Sequence, residues 1–218
     1  MSKMAGIGMT SQRARNRLVE KIRSMGITNE KILEVMRVTP RHYFVEEALA
    51  SRAYDNTALP IGYGQTISQP YIVASMTQIL CETGPMGRVL EIGSGCGYQT
   101  SVLAAFSEKV FAVERIQALV KRLRANLYEL KVPNVKVKHS DGFNGWSEHA
   151  PFDAILVAAA PVGIPEKLLE QLAVGGRLVL PVGTGRSQEL RLIKKSGTGF
   201  KEHVMDEVSF VPLLDGIE

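Results

Sequence analysis

The sequence has no apolar run near the ~18 residues that a membrane-spanning helix requires, no internal repeat and no low-complexity tract. It has only two cysteines, Cys81 and Cys96, far apart and without a Cys-x-x-Cys pair. That excludes a disulfide framework and fits a reducing compartment. The four histidines, His42, His139, His149 and His203, show no metal-ligand spacing, so no metal is expected. The basic stretch from Arg13 to Arg23 is not followed by an apolar signal core. These absences point to a soluble, cytoplasmic chain without a membrane partner, whose residues 1–9 are expected to be flexible.

What is present describes one globular domain over residues 1–218: 45% hydrophobic and 22% charged residues, an ordinary balance for a packed core. A formal charge of +4 on this length is weak evidence for an anionic partner. Residues 10–84 read as a helical extension followed by a loop. Leu18, Ile22 and Met25 fall on one helical face, and Ile32, Val35 and Met36 on another. Thr28 or Asn29 is placed to cap the second helix, and Thr39-Pro40 to end it. Tyr54 to Pro70 is rich in Gly, Thr, Ser and Pro and reads as a loop, with Pro70 suited to the first turn of a helix.

From 85 onward the pattern alternates. Strands are expected at Arg88–Ile92, Val110–Glu114, Val135–His139, Phe152–Ala158 and Arg177–Val182. Helices are expected at Tyr98–Phe106, Ile116–Leu130 and Pro165–Leu172, the last closed by Gly175-Gly176. Glu189–Lys195 and Phe200–Ser209 flank a Ser-Gly-Thr-Gly turn. The fold class is therefore α/β: a doubly wound, mostly parallel sheet with antiparallel C-terminal strands and a helical N-terminal extension.

The sharpest motif is Val89-Leu-Glu-Ile-Gly-Ser-Gly-Cys-Gly97, a buried strand running into three alternating glycines before a helix. In open parallel sheets ligands bind beyond the carboxyl ends of the strands, and glycines there allow a tight turn and close approach. A dinucleotide fingerprint would need a third glycine where Tyr98 stands, and no Gly-Lys-Ser/Thr follows, so a P-loop is excluded too. Glu114 ends the second strand 21 residues after Gly93, placed to accept both hydroxyl hydrogens of a ribose. The plainer alternative is a surface carboxylate before a helix N-terminus. Asp141-Gly142 follows the third strand in the same way, either to receive an adenine amino group or as a simple Asp-Gly turn.

Together, Glu91, Gly93, Ser94, Gly95, Glu114 with the adjacent Arg115, and Asp141 with Gly142 resemble the cofactor site of the Rossmann-like methyltransferases. That resemblance implies S-adenosylmethionine as cofactor, with Glu91 ordering the glycine loop. Three further blocks resemble the isoaspartyl methyltransferases within that group. They are Leu59-Pro-Ile-Gly-Tyr-Gly-Gln-Thr-Ile-Ser-Gln-Pro-Tyr-Ile-Val73, Gly97-Tyr-Gln-Thr100, and Phe152-Asp-Ala-Ile-Leu-Val-Ala-Ala-Ala-Pro161 continuing to Gly175-Gly-Arg-Leu-Val-Leu-Pro-Val-Gly183. The resemblance implies Ser68 as the catalytic residue, with Gln65, Thr66 and Ile67 lining its pocket. It also implies that the tail Phe210–Leu214, through Val211, Leu213 and Leu214, closes over it. Substrates would be proteins and peptides containing isoaspartate, and the enzyme a monomer. Cys96 stands where the family more often has a small polar residue, and reads as a tolerated replacement rather than a nucleophile.

The competing reading is a methyltransferase for RNA or DNA bases, using Lys121, Arg122, Arg124, Lys131, Lys136 and Lys138 as a phosphate face. Base-amino methyltransferases usually carry Asn/Asp-Pro-Pro-aromatic after the fourth strand, where this chain has Ala158-Ala-Ala-Pro161. No nucleic-acid partner is therefore expected. A methyltransferase for small carboxylates and a non-enzymatic binding module are the remaining alternatives.

Overall fold

The computed structural model describes residues 8–185 and 187–218. The expectation of flexibility at 1–9 falls mostly outside these; Gly8–Thr10 form a short 3-10 turn. Two helices follow, α1 at Gln12–Ser24 and α2 at Glu30–Val38. Asn29 is the cap of α2, its side chain accepting from the Lys31 and Ile32 amides. Leu18 and Ile22 are buried, whereas Met25 is 40% exposed, because α1 ends one residue before it.

The segment read as a loop holds a small antiparallel hairpin, β1 at Leu59–Gly62 and β2 at Gln65–Ile67. Tyr63 and Gly64 between them both take positive φ, a hairpin turn that composition alone does not distinguish from irregular loop. Pro70 then opens α3, Pro70–Cys81, as its first residue.

Seven strands form the main sheet in the order β5-β4-β3-β6-β7-β8-β9. They are β3 Met86–Ile92, β4 Ser107–Glu114, β5 Val135–His139, β6 Phe152–Val157, β7 Leu172–Thr184, β8 Ser187–Ser196 and β9 Gly199–Val208. β3 to β7 pair in parallel, while β8 and β9 are antiparallel additions at one edge. Helices α4 (Tyr98–Ala104), α5 (Gln117–Glu129) and α6 (Glu166–Glu170) make the crossovers. The chain runs outward from β3 to β5 and then returns to place β6 on the other side of β3, so the order reverses between β3 and β6. That reversal opens a crevice beyond their carboxyl ends.

Period-two alternation sorts the strand residues between layers. Leu90, Ile92, Phe111, Val113 and Val157 pack on the face that carries α6, while Val89, Val110 and Leu156 pack against α3 and α4. A further core joins the N-terminal helices and the hairpin to Cys96 and Tyr98 after the glycine loop.

Several boundaries shift from the sequence pattern, most of all between α6 and β7. The helix expected over Pro165–Leu172 spans only Glu166–Glu170, and Gly175-Gly176 lie inside β7 rather than closing a helix. Phe152 pairs with Leu172 and Ala154 with Arg177, so residues 173–176 bulge opposite Asp153 alone. A Cβ at Gly176 would stand 3.0 Å from the Asp153 carbonyl oxygen, which explains why a glycine is needed in the bulge.

Candidate active site

The crevice beyond β3, β4 and β6 is a cleft with three walls. The first is the glycine loop with the end of β4: Gly93, Gly95, Glu114, Arg115 and Ile116. The second is the hairpin, through Gln65 and Thr66, and the third is the returning tail, Val211–Leu214. Ile92, Val113, Gly142, Ala158 and Ala159 line it between these walls. Val113 belongs to no motif, and Ile92, Ala158 and Ala159 stand within motifs without a site role of their own; as residues at the ends of parallel strands, their place follows from topology.

The loop glycines 93, 95 and 97 all have positive φ, 79°, 54° and 91°, backbone that side chains rarely adopt. A Cβ at Gly97 would also meet Leu123 Cδ1 at 2.4 Å, so the loop lies directly on α5. Asn126 of that helix donates to the Cys96 carbonyl at 2.8 Å.

Glu114 is 5% exposed and both its oxygens are engaged. Oε2 accepts from the Gly95 amide at 2.8 Å and Oε1 from the Ile116 amide at 3.0 Å. Each oxygen has a further lone pair for a ligand in the cleft. The carboxylate thus serves as a strut for the loop and as an acceptor lining the cleft.

Residues 210–218 strap across the strand ends. Buried Gln188 grips both the amide and the carbonyl of Phe210, at 2.7 and 3.0 Å. Ala160 and the tail exchange backbone bonds, Ala160 N to the Val211 oxygen and Leu213 N to the Ala160 oxygen, both at 2.8 Å. Farther on, the Glu218 amide donates to the Arg115 carbonyl at 2.8 Å, and the Arg115 guanidinium pairs with the Glu218 carboxylate at 3.1 Å. A Cβ at Gly142 would stand 2.5 Å from Ile92 Cγ2 and 3.3 Å from Leu213 Cδ1, so the strap lies close only because residue 142 has no side chain.

The family profile described as protein-L-isoaspartate(D-aspartate) O-methyltransferase matches residues 12–218. A protein-L-isoaspartate O-methyltransferase of Alcanivorax borkumensis is 54% identical over 98% of this chain and 97% of its own. One from Halorhodospira halophila is 53% identical over 97% of this chain and 96% of its own. The chain belongs to the protein-L-isoaspartate(D-aspartate) O-methyltransferase family. A family structure from Plasmodium falciparum, in complex with S-adenosyl-L-homocysteine, superposes with a TM-score of 0.79 at 28% identity. It covers 92% of this chain and 98% of that one.

Within this methyltransferase frame, five residues assigned to the site by resemblance do not line the cleft. Ile67 is 3% exposed and belongs to the N-terminal core, because the hairpin pairs it with Leu59 and turns it inward. Ser94 is buried, its hydroxyl donating to the Val113 carbonyl at 3.3 Å. Asp141 uses one oxygen on the Phe143 amide at 2.8 Å and the other on the Gly216 amide at 3.0 Å. It therefore caps a turn and anchors the strap, its reading as a turn residue extended by a long-range contact, and like Glu114 it keeps a further lone pair on each oxygen. Ser68 is half-buried beside the hairpin wall. It is not the cap of α3: that position is Gln69, with no side-chain cap bond, and the Ser68 hydroxyl has no hydrogen-bond partner among the described residues.

The phosphate-face reading weakens in the same way. Arg122 and Arg124 donate to backbone carbonyls, and Lys138 pairs with Glu148 at 3.4 Å. His139 is a satisfied strand-end residue, with Nε2 2.8 Å from the Arg115 carbonyl oxygen. Cys96 is buried, and desolvation raises its pKa, which opposes thiolate chemistry.

Glu91 is the fifth. It is fully buried under the loop, where Oε2 accepts from the Thr100 hydroxyl at 2.5 Å and Oε1 has no partner among the described residues. Desolvation raises its pKa to about 7, opposed by the Thr100 and Ser94 hydroxyls. An unfolded glutamate titrates near ~4.3, so folding favours the protonated form. The stability this preference contributes is complete below ~4.3 and is lost as pH rises through about 7. Glu91→Gln keeps the shape and removes the charge. The variant's melting temperature, relative to the wild type, is expected to rise progressively between roughly pH 5 and 8. Melting curves across that range check it; a difference that stays constant with pH would show that the carboxyl ionises in place at no cost.

Proposed function

We infer that this chain transfers a methyl group from S-adenosylmethionine to the free α-carboxylate of L-isoaspartyl, and D-aspartyl, residues in damaged proteins. The observation that carries the reading is one cleft joining a nucleoside-type site at Glu114 and the glycine loop to the Gln65–Thr66 hairpin of this family. The residues fit the cofactor: the loop glycines cradle without side chains, and Glu114 turns its remaining lone pairs to the ribose hydroxyls. When bound, S-adenosylmethionine supplies an electrophilic methyl on a sulfonium.

The substrate carboxylate is already ionised at neutral pH and needs no general base. The protein's task is alignment, which supplies up to ~7–11 kcal/mol when the reacting atoms are held near attack. Ser68 has a hydroxyl with no other partner among the described residues, two positions before the first residue of α3. There the helix dipole and the hydroxyl both favour an anion. Val211, Leu213 and Leu214 provide a wall along which an extended peptide lies. The methyl ester loses methanol spontaneously to a succinimide, and repeated cycles return aspartate, so the enzyme initiates repair.

Three expected outcomes test this. Labelled methyl transfer to an L-isoaspartyl peptide should be efficient, and its L-aspartyl twin should remain unlabelled. A single methylene in an apolar pocket discriminates by only ~1–3 kcal/mol, but the isomer also moves its oxygen out of line with the methyl. Equal labelling of both peptides, or efficient labelling of RNA alone, would overturn the assignment. In Ser68→Ala, methylation efficiency should fall about 10- to 150-fold, the loss of one charge-assisted hydrogen bond worth roughly 1.5–3 kcal/mol, while cofactor affinity holds. Unchanged kcat/KM would remove Ser68 from the site. Glu114→Ala should weaken S-adenosylmethionine binding by at least about thirtyfold, ~2 kcal/mol, by calorimetry, since the variant loses the ribose contact together with the loop strut. An unaltered Kd would end the ribose role.

A further inference from the structure

Methyl donor and methyl acceptor are held by different pieces of chain, the glycine loop and the hairpin, and both are gripped by one face of α5. Asn126 holds the loop through the Cys96 carbonyl. One turn earlier, Arg122 reaches the other way: its Nη1 donates to the Ile61 carbonyl at 3.1 Å and its Nη2 to the Phe44 carbonyl at 2.7 Å. Residues four apart share a helix face, so α5 spans the gap between the two walls of the cleft.

Among the described residues, no other hydrogen bond joins the hairpin to the parallel sheet or its crossover helices. The hairpin leans on the loop elsewhere only by packing, with Ile61 Cδ1 3.3 Å from where a Cβ of Gly95 would stand. Packing of that kind tolerates sliding. A planar guanidinium bonded to two carbonyls does not, since its donors are fixed relative to each other.

We propose that Arg122 is a positioning residue for methyl transfer, setting the hairpin that presents the acceptor carboxylate at its working distance from the loop that holds the donor. The proposal rests on the methyltransferase reading above. Displacements of about 1 Å in such a geometry cost up to about 100-fold in rate. The effect should fall on the acceptor side, because the loop keeps its own ties to Glu114 and Asn126.

The test compares Arg122→Met and Arg122→Lys with Arg124→Met, whose arginine donates instead to the Val137 carbonyl, away from the cleft. Calorimetry gives the Kd for S-adenosylmethionine; steady-state assays give kcat and KM for the isoaspartyl peptide. Arg122→Met should lower kcat/KM about 10- to 100-fold, with kcat itself reduced, and leave the cofactor Kd within about twofold. Arg122→Lys, able to hold one carbonyl, should recover part of the loss, and Arg124→Met should match the wild type. Should Arg122→Met not fold, the lysine variant carries the same comparison. Unchanged kcat/KM in the Arg122 variants overturns the proposal. So does a cofactor Kd that weakens in step with kcat/KM, since that marks general loosening. A wild type inactive on the isoaspartyl peptide defeats the underlying reading, and this proposal with it. An active wild type with indifferent Arg122 variants defeats this proposal alone.

Discussion

The site depends on a carboxylate held out of water at the end of a strand. Glu114 accepts amides from both sides, Gly95 of the loop after β3 and Ile116 at the entry to α5. Two consecutive crossover units are therefore locked together by one side chain, at the point where they must jointly form a binding surface. A buried carboxylate that forms no ion pair among the described residues depends on such amide donors, because charge-assisted hydrogen bonds must offset its desolvation. The glycines make this possible. Side chains at 95 and 97 would push the loop off Ile61 and Leu123, and the Gly95 amide would no longer point at Glu114.

Glu91 shows the opposite solution a short distance away. It lies on the face of β3 turned toward α4, reaching Thr100, and retains one oxygen without a partner among the described residues. With few donors, burial moves its pKa instead of being compensated. Two glutamates at neighbouring strands thus divide the work: one accepts amide hydrogen bonds at the cleft, the other braces the helix behind the loop with its pKa raised to about 7 by burial.

Much of this was legible in the sequence because it is local. The Gly-x-Gly-x-Gly run, the strand-end glutamate and the alternation of apolar runs each need only neighbours within a few residues or one βαβ spacing, and the strands they predict are found within a few residues of their expected bounds. What was not legible depends on distant partners. Asp141 looks the same in sequence whether it meets an adenine or the amide of Gly216, 75 positions away. Arg122 reads as one basic residue among six until Phe44 and Ile61 are brought under it by the fold. The hairpin at 59–67 was hidden for a different reason: strands of four and three residues are too short for a period-two pattern to separate from irregular loop. The Gly175-Gly176 bulge was misplaced because a glycine pair signals a helix stop and a strand bulge equally well.

The chemistry explains why long-range struts carry so much of the function. A nucleophile that is ionised at neutral pH, and a leaving group that departs without a proton, leave no role for a tuned acid or base. No pKa in the cleft has to be shifted to start the reaction, so evolution of such a site acts on distance and angle. Those are set by what the walls are fastened to: the loop by Glu114 and Asn126, the hairpin by Arg122, the tail by Gln188, Asp141 and Arg115. Each fastening joins segments far apart in the chain, and most end on a backbone amide or carbonyl. A bond to the main chain fixes where the segment lies whatever side chains it carries. That suits a wall which must receive a damaged residue in many sequence surroundings: the geometry of the cleft is held constant while the substrate's side chains vary.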